Sequence, residues 1–330
     1  MSTVESVSSS VDSNIATPFV RNDIHQAIFN YESRSRPQSF LQLHSNNQLS
    51  QDVTREPLGR IIKGSPKTLC LPALCKLDDI SVVLIVRQEC PWDTYRPAIR
   101  CDIAGKVIIA SRRSNRSRLQ AIRQYSGSDA KSLIQRFECL DHANVLSARD
   151  CYLDGPSLYA LVEDLPLTLQ HLVSCPRIYP TELELGSIMS QILAGLRYLS
   201  TVGLSHESLS CREILLGLDG TVKIACLEKC IEGSPSESQT RYITALPSII
   251  MSLIQKHEKV KGISGVDDVH RWPVDSASVG FLSASSLAQS IASLQEHPLV
   301  ATRHRPAADL VMLARIVFLV AEVPVSYEIE

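Results

Sequence analysis

The sequence predicts an α+β protein of two lobes, a small antiparallel β-rich lobe carrying one helix and then a larger, mainly α-helical lobe. Three observations carry that expectation. From residue 80 the chain runs through "ISVVLIVRQ", "AIRCDIA", "KVIIASR" and "LQAIRQY", short stretches rich in branched residues and broken by Gly, Pro or charged turns. After them "DAKSLIQRFECL" (129–140) spaces its apolar residues along one face of a helix. Beyond residue 166 helical spacing dominates, led by "TELELGSIMSQILAGLRYLSTVG" (181–203).

Taken in order, residues 1–79 are rich in Ser, Asn and Gln and poor in apolar residues, so a disordered tail is expected there. Within it "IHQAIFNYE" reads as a transient amphipathic helix that docks on a partner or on the domain. The β-rich lobe is expected over 80–165 and the helical lobe over 166–330, joined near Glu163–Leu165. The basic run "SRRSNRSR" reads as a turn between strands, with a weak contact to phosphate or to an acidic partner as the alternative. "YALVEDL" reads as a strand. In the helix at 181–203, Thr181 can cap the start, Glu182 and Glu184 suit its positive end, and Gly203 can close it. "EGSPSESQT" (232–240) reads as a short solvated loop.

Composition narrows the function. At 330 residues, 44% hydrophobic and 21% charged, the chain can bury a sizeable core. A net charge of −2 and an isoelectric point near 6.5 make no electrostatic case for nucleic acid or a membrane as partner. The ten cysteines form no CxxC pair and no histidines stand at zinc spacing, so reduced, mostly buried thiols and no metal are expected. No signal peptide precedes them, which points to an intracellular protein, cytoplasmic or nuclear. The longest apolar run, "LVMLARIVFLVAEVPV" (310–325), is interrupted by Arg315 and Glu322 and is too short to span a bilayer. It reads as a packed core helix.

An ordered series of segments then gives a resemblance. "GKVIIA" (105–110) is similar to the strand leaving the Gly-rich loop of a protein kinase, and "QAIR" to its V-A-I-K, with Arg123 in the place of the Lys. "LDHANVL" (140–146) resembles the link from the first helix to the next strand, and "SLYALVED" (157–164) the fifth strand and hinge. "QILAGLRYLSTVGLSHESL" (191–209) resembles the long helix entering the catalytic loop, and "GTVKIACLE" (220–228) the strand leading to D-F-G. The chain thus resembles the protein kinase superfamily over roughly 97–300, and in particular the degenerate kinase-like proteins of filamentous fungi. The resemblance implies a two-lobe kinase-like fold.

Position by position, the resemblance implies a dismantled site. Phosphoryl transfer needs phosphates cradled, metal ions held and a hydroxyl oriented. Of G-x-G-x-x-G only Gly105 remains, and Asp102 puts a carboxylate where phosphates would lie. Arg123 has two readings, a planar substitute for the phosphate-gripping Lys or a surface-strand cation, and the second is preferred. The partner Glu of that Lys falls on Leu133. In the catalytic loop His206 and Leu209 are kept, but Glu207, Ser208 and Glu213 stand for the Arg, the base Asp and the metal-binding Asn. His206 is expected to be a buried structural residue. Glu213 could hold a cation alone, though one carboxylate makes a poor site. Cys226 replaces the D-F-G Asp, and a thiol is no substitute for a hard oxygen ligand to magnesium. "YITALP" puts Tyr242, Thr244 and Pro247 at the Asp, Trp and Gly positions of D-x-W-S-x-G.

The expectation is therefore a pseudokinase acting as an interaction or scaffold module, with no catalytic residue, no cofactor and no metal. At most a vestigial pocket for ATP and magnesium remains, at Gly105, Val107, Ala121, Arg123, Val162 and Glu163. Its partners would be proteins of unspecified identity, and the sequence leaves the oligomeric state open. The alternative is an atypical ATP-binding Ser/Thr kinase working through Arg123 and Glu213.

Overall fold

A computed structural model describes residues 84–126, 130–256, 266–301, 306–323 and 325–327. The expected tail over 1–79 and its "IHQAIFNYE" helix lie outside the described residues.

The N-terminal part is a mixed, mainly antiparallel sheet. Its strands are β1 (Ile85–Arg87), β2 (Tyr95–Asp102), β3 (Lys106–Arg112), β4 (Asn115–Ser126), β5 (Ala148–Asp154) and β6 (Ser157–Val162). A four-residue helix α1 (Pro91–Thr94) precedes β2, and α2 (Ala130–Cys139) follows β4. The sheet order is β1-β5-β6-β4-β3-β2-β12, where β12 is Val325–Tyr327 at the other end of the chain. Two features depart from the expectation. β1 runs parallel to β5, so the sheet is not wholly antiparallel. The last strand, placed by sequence in the helical lobe, crosses back to pair with β2, Val325 opposite Cys101. Strand pairing is non-local, so nothing in a three-residue run of ordinary β formers announces it.

The rest is mainly helical: α3 (Leu169–Ser174), α4 (Glu182–Thr201), α5 (Pro235–Gln255), α6 (Ala277–Leu287), α7 (Ile291–Gln295), α8 (Pro298–Ala301) and α9 (Pro306–Val320). Short strands β7 (Leu167–Thr168), β8 (Leu204–His206), β9 (Ile214–Leu216), β10 (Val222–Ile224) and β11 (Cys230–Glu232) frame the loops between them. Thr181 caps α4 as expected: its side chain accepts from the Glu184 amide while the Glu184 carboxylate accepts from the Thr181 amide. α4 buries Leu185, Ile188, Met189, Ile192, Leu193, Leu196 and Leu199, each worth about 1.5–3 kcal/mol on leaving water. Gly195 lets it come close: a Cβ there would lie 2.7 Å from the Asn144 carbonyl oxygen and 2.9 Å from Ile224.

Two local expectations are corrected. The stretch 235–240 is helical rather than a loop, because Ser234 and Glu237 form a capping box and Pro235 takes the first turn of α5, where no amide donor is needed. The apolar run 310–325 is not one packed helix. α9 stops at Val320 and buries only Leu310, Leu313, Ala314 and Val317, leaving Met312 67% exposed. "SRRSNRSR" is indeed a hairpin turn, joining β3 to β4. Every described cysteine is a free thiol, and five of the eight are buried. Among the described residues no helix is long and apolar enough to cross a membrane, and no cluster of His, Cys, Asp and Glu could hold a metal ion.

Candidate functional site

The cleft lies where the β2–β3 turn hangs over the loops before β9 and after β10. Asp102–Gly105 make the turn, with Ala104 at φ 53° and Gly105 at φ 102°. Left-handed backbone costs a residue with a Cβ roughly 1–2 kcal/mol, so Ala104 is held there by its surroundings. The holding groups are identifiable. Arg123, on β4, sends one guanidinium nitrogen to the Ala104 carbonyl at 2.7 Å and another to the Ile103 carbonyl at 2.8 Å. The Cys226 thiol donates to the same Ala104 carbonyl at 3.1 Å. The Asp102 carboxylate caps the turn by accepting from the Gly105 amide at 3.1 Å.

Arg123 is therefore not a surface-strand cation. It is 4% exposed, and its charge is directed into the chain's own backbone. Burial of the charge is tolerated because two carbonyl dipoles solvate it. Ile103, at the turn, enters the core beside Val107, Ala121, Val162 and Leu165. Ala121 and Val162 are direct cross-strand partners, and Val107 belongs to the same core cluster. All three are packed: Val107, Ala121 and Val162 are 3–5% exposed. A cavity of about 290 Å³ sits nearby, lined among others by Gly105, Arg123, Tyr125, Leu133 and Glu228, and by none of those three. Leu133, fully buried on α2, lines the same cavity as Arg123.

In the catalytic-loop segment, Ser208 is exposed in a turn, its amide donating to His206 Nδ1 at 3.3 Å. His206 is 3% exposed, and burial holds its imidazole below its ordinary pKa, favouring the neutral ring. Tyr242, well inside α5 rather than at its start, donates to the Leu204 carbonyl and accepts from the His206 amide. Glu213 is buried and already engaged. Its carboxylate accepts from the Ser210 amide and hydroxyl at 3.1 and 2.7 Å, and pairs with Lys229 at 3.0 Å. Glu163, at the end of β6, pairs with Lys223 of β10 at 3.0 Å, a contact between the sheet and the helical part. The Cys226 thiol is pushed up to about 12, first by burial and then by the nearby Glu228 carboxylate, so it stays protonated and able to donate.

This donor set does not fit nucleotide-bound magnesium. At the three relevant positions stand a protonated thiol, an exposed hydroxyl and a carboxylate already paired with an ammonium, where hard oxygen anions would be needed. The group that would face the phosphates is turned onto the turn's carbonyls. Sequence reading missed Lys229, Ile103 and Ala104 as members of the site. Lys229 lies 16 residues from Glu213, and only the 3₁₀ turn Leu227–Lys229 folds it back. No local pattern signals that contact.

No family model matches the chain. Among curated proteins it is 36% identical over 107 residues to mitogen-activated protein kinase kinase kinase 9 of Arabidopsis thaliana, covering 30% of this chain and 14% of that protein. It is 23% identical over 249 residues to a probable serine/threonine-protein kinase of Dictyostelium discoideum, covering 69% of this chain and 20% of that protein. To the serine/threonine-protein kinase Tao of Drosophila melanogaster it is 24% identical over 156 residues, covering 47% and 15%. The matched stretches thus span between a seventh and a fifth of these relatives. A sheet region followed by a mainly helical part defines an α+β domain consistent with a kinase-like fold. With these likenesses, the chain is a kinase-like domain protein.

Proposed function

We propose that the chain is a pseudokinase: a catalytically inactive kinase-like domain, located inside the cell, that serves as an interaction module. The observation that carries this reading is the pairing of Arg123 with the carbonyls of Ile103 and Ala104. A cation in the phosphate-gripping position neutralises backbone rather than ligand, and the turn it holds buries Ile103 in the core. Ser208 and Cys226 support it, since neither can orient a nucleophile or ligate magnesium at neutral pH. The degenerate kinase-like proteins of filamentous fungi, which the sequence resembles, are the natural comparison.

The test is thermal unfolding with and without ATP and magnesium, alongside radiolabelled transfer from ATP to protein substrates. A ligand bound only by the native state raises stability by RT ln(1 + [L]/Kd), so millimolar ATP bound at about 10 μM would add roughly 2.7 kcal/mol. No shift and no transfer are expected. A magnesium-dependent shift, or transfer lost on Arg123→Ala and Glu213→Ala, would establish the atypical kinase instead.

A further inference from the structure

The tip of the β3–β4 hairpin is built unlike the rest of the sheet. β4 meets β6 only from Ala121 onward, opposite Val162, so Asn115–Gln120 overhang with no strand on that side among the described residues. On the other side the register jumps: Arg112 faces Asn115, while the next pair is Ser111 with Leu119. Among the described residues, 116–118 have no cross-strand partner on either side. Residues 112–119 are all exposed. Side chains of the strand itself cover two of its backbone groups: Asn115 Oδ1 accepts from the Ser117 amide at 3.1 Å, and Gln120 donates to the Leu119 carbonyl at 2.9 Å. A free strand edge of this kind is a template for pairing with another chain.

The charge on this edge is equally one-sided. Lys106, Arg112, Arg113, Arg116, Arg118 and Arg123 fall between residues 103 and 128 with no Asp or Glu among them. Arg123 is buried, and Arg113 is pinned by its Nε donating to the Trp92 carbonyl at 2.9 Å. Among the described residues no carboxylate pairs with Arg112, Arg116 or Arg118. Arg116 and Arg118 are two apart on an extended strand and so project to the same side. The whole chain carries −2, so this is a local cationic strip rather than a generally basic surface.

We infer that the overhanging edge of β4 is a docking strip for an extended acidic segment of a partner protein, which adds as a further strand while its carboxylates meet Arg116 and Arg118. Apart from the Ser117 amide and the Leu119 carbonyl, the backbone groups of this edge select a polypeptide, because they complement another backbone. Guanidinium forks suit carboxylates arriving from alternate positions of that strand. Nucleic acid fits less well: residues 103–124 contain no aromatic side chain on which a base could stack. The inference rests on the reading of the chain as an interaction module and names the chemistry of its partner. Its failure would leave the phosphotransfer results untouched, so the two readings fall separately.

The experiment is fluorescence anisotropy of the full chain with a labelled peptide of alternating Glu and Val, at about 50 mM and about 300 mM salt, since screening shortens with ionic strength. Three comparisons are made: the double variant Arg116→Glu/Arg118→Glu, the same peptide N-methylated at alternate residues, and a DNA duplex of equal charge. Saturable binding at low salt is expected, weakened roughly tenfold or more by the double charge reversal. The N-methylated peptide should also bind at least tenfold more weakly, because it keeps its charge and loses the donors a strand needs. The variant sits on exposed residues and should keep the parent melting temperature, which separates lost binding from lost fold. No saturable binding, or equal binding by the double variant, would overturn the site. Equal binding of the N-methylated peptide would overturn strand addition, and tighter binding of the duplex would overturn a protein partner.

Discussion

Arg123 reaches back across its own sheet to the carbonyl of Ala104 at 2.7 Å, and the Cys226 thiol meets that same oxygen from the loop below. One turn is thus held by two side chains 103 residues apart in sequence, one on β4 and one just after β10. The cleft between sheet and helices is fastened by a hydrogen-bonded latch.

Removing the latch should cost stability. Arg123→Met leaves the Ile103 carbonyl without its side-chain donor, a loss of about 1–3 kcal/mol, while the Ala104 carbonyl keeps the Cys226 thiol. Urea denaturation should show the drop, and hydrogen exchange should rise first in residues 102–106. Exchange unchanged in the turn would mean Arg123 does not hold it.

Restoring the lost names should not restore chemistry. The variant Ser208→Asp/Cys226→Asp introduces two carboxylates, but Glu213 stays paired with Lys229 and Arg123 stays bonded to the carbonyls of Ile103 and Ala104. A carboxylate at 226 would also face the Ala104 carbonyl, acceptor against acceptor, and loosen the turn. No phosphate transfer is expected in a radiolabel assay, together with a lower melting temperature.

The close approach of α4 is testable by one methyl group. Gly195→Ala would set a Cβ 2.7 Å from the Asn144 carbonyl, in a cluster where Asn144 also donates to Gln191 and to the Val222 carbonyl. Overpacking of this kind costs about 1–3 kcal/mol. Gly155→Ala, where a Cβ would meet nothing within 4 Å but the φ of 55° strains it, is the comparison, and it should cost less by equilibrium unfolding.

Stability should fall in mild acid. Burial holds His206 below its ordinary pKa of 6.5 in the folded chain, and His142, His171 and His297 are shifted the same way. The unfolded chain therefore takes up protons first as pH drops below 6.5, so these groups contribute fully above that value. Their contribution is lost as pH falls through the lower folded values. Melting temperatures between pH 7.5 and 5.5 should decline, and His206→Gln should flatten the slope. An unchanged slope in that variant would assign the effect to the other histidines.

The order of strands and helices was legible in the sequence because each is a local pattern. Short runs of branched residues between turns, the Thr181 cap and the helical spacing of apolar residues in α4 all act within a few positions. The identities of the residues at 133, 208, 213 and 226 were equally legible, since identity at a position needs no coordinates. Where those residues point was not. That Arg123 is buried, that Glu213 is held by Lys229 and that the chain's last strand returns to β2 follow from contacts between distant segments, and pairing strength there depends on packing rather than on the residue. The sequence by itself determined which charges a phosphotransfer site would lack. Only the tertiary structure decided what the remaining ones do, because a buried cation must find its partner wherever the fold happens to bring an oxygen.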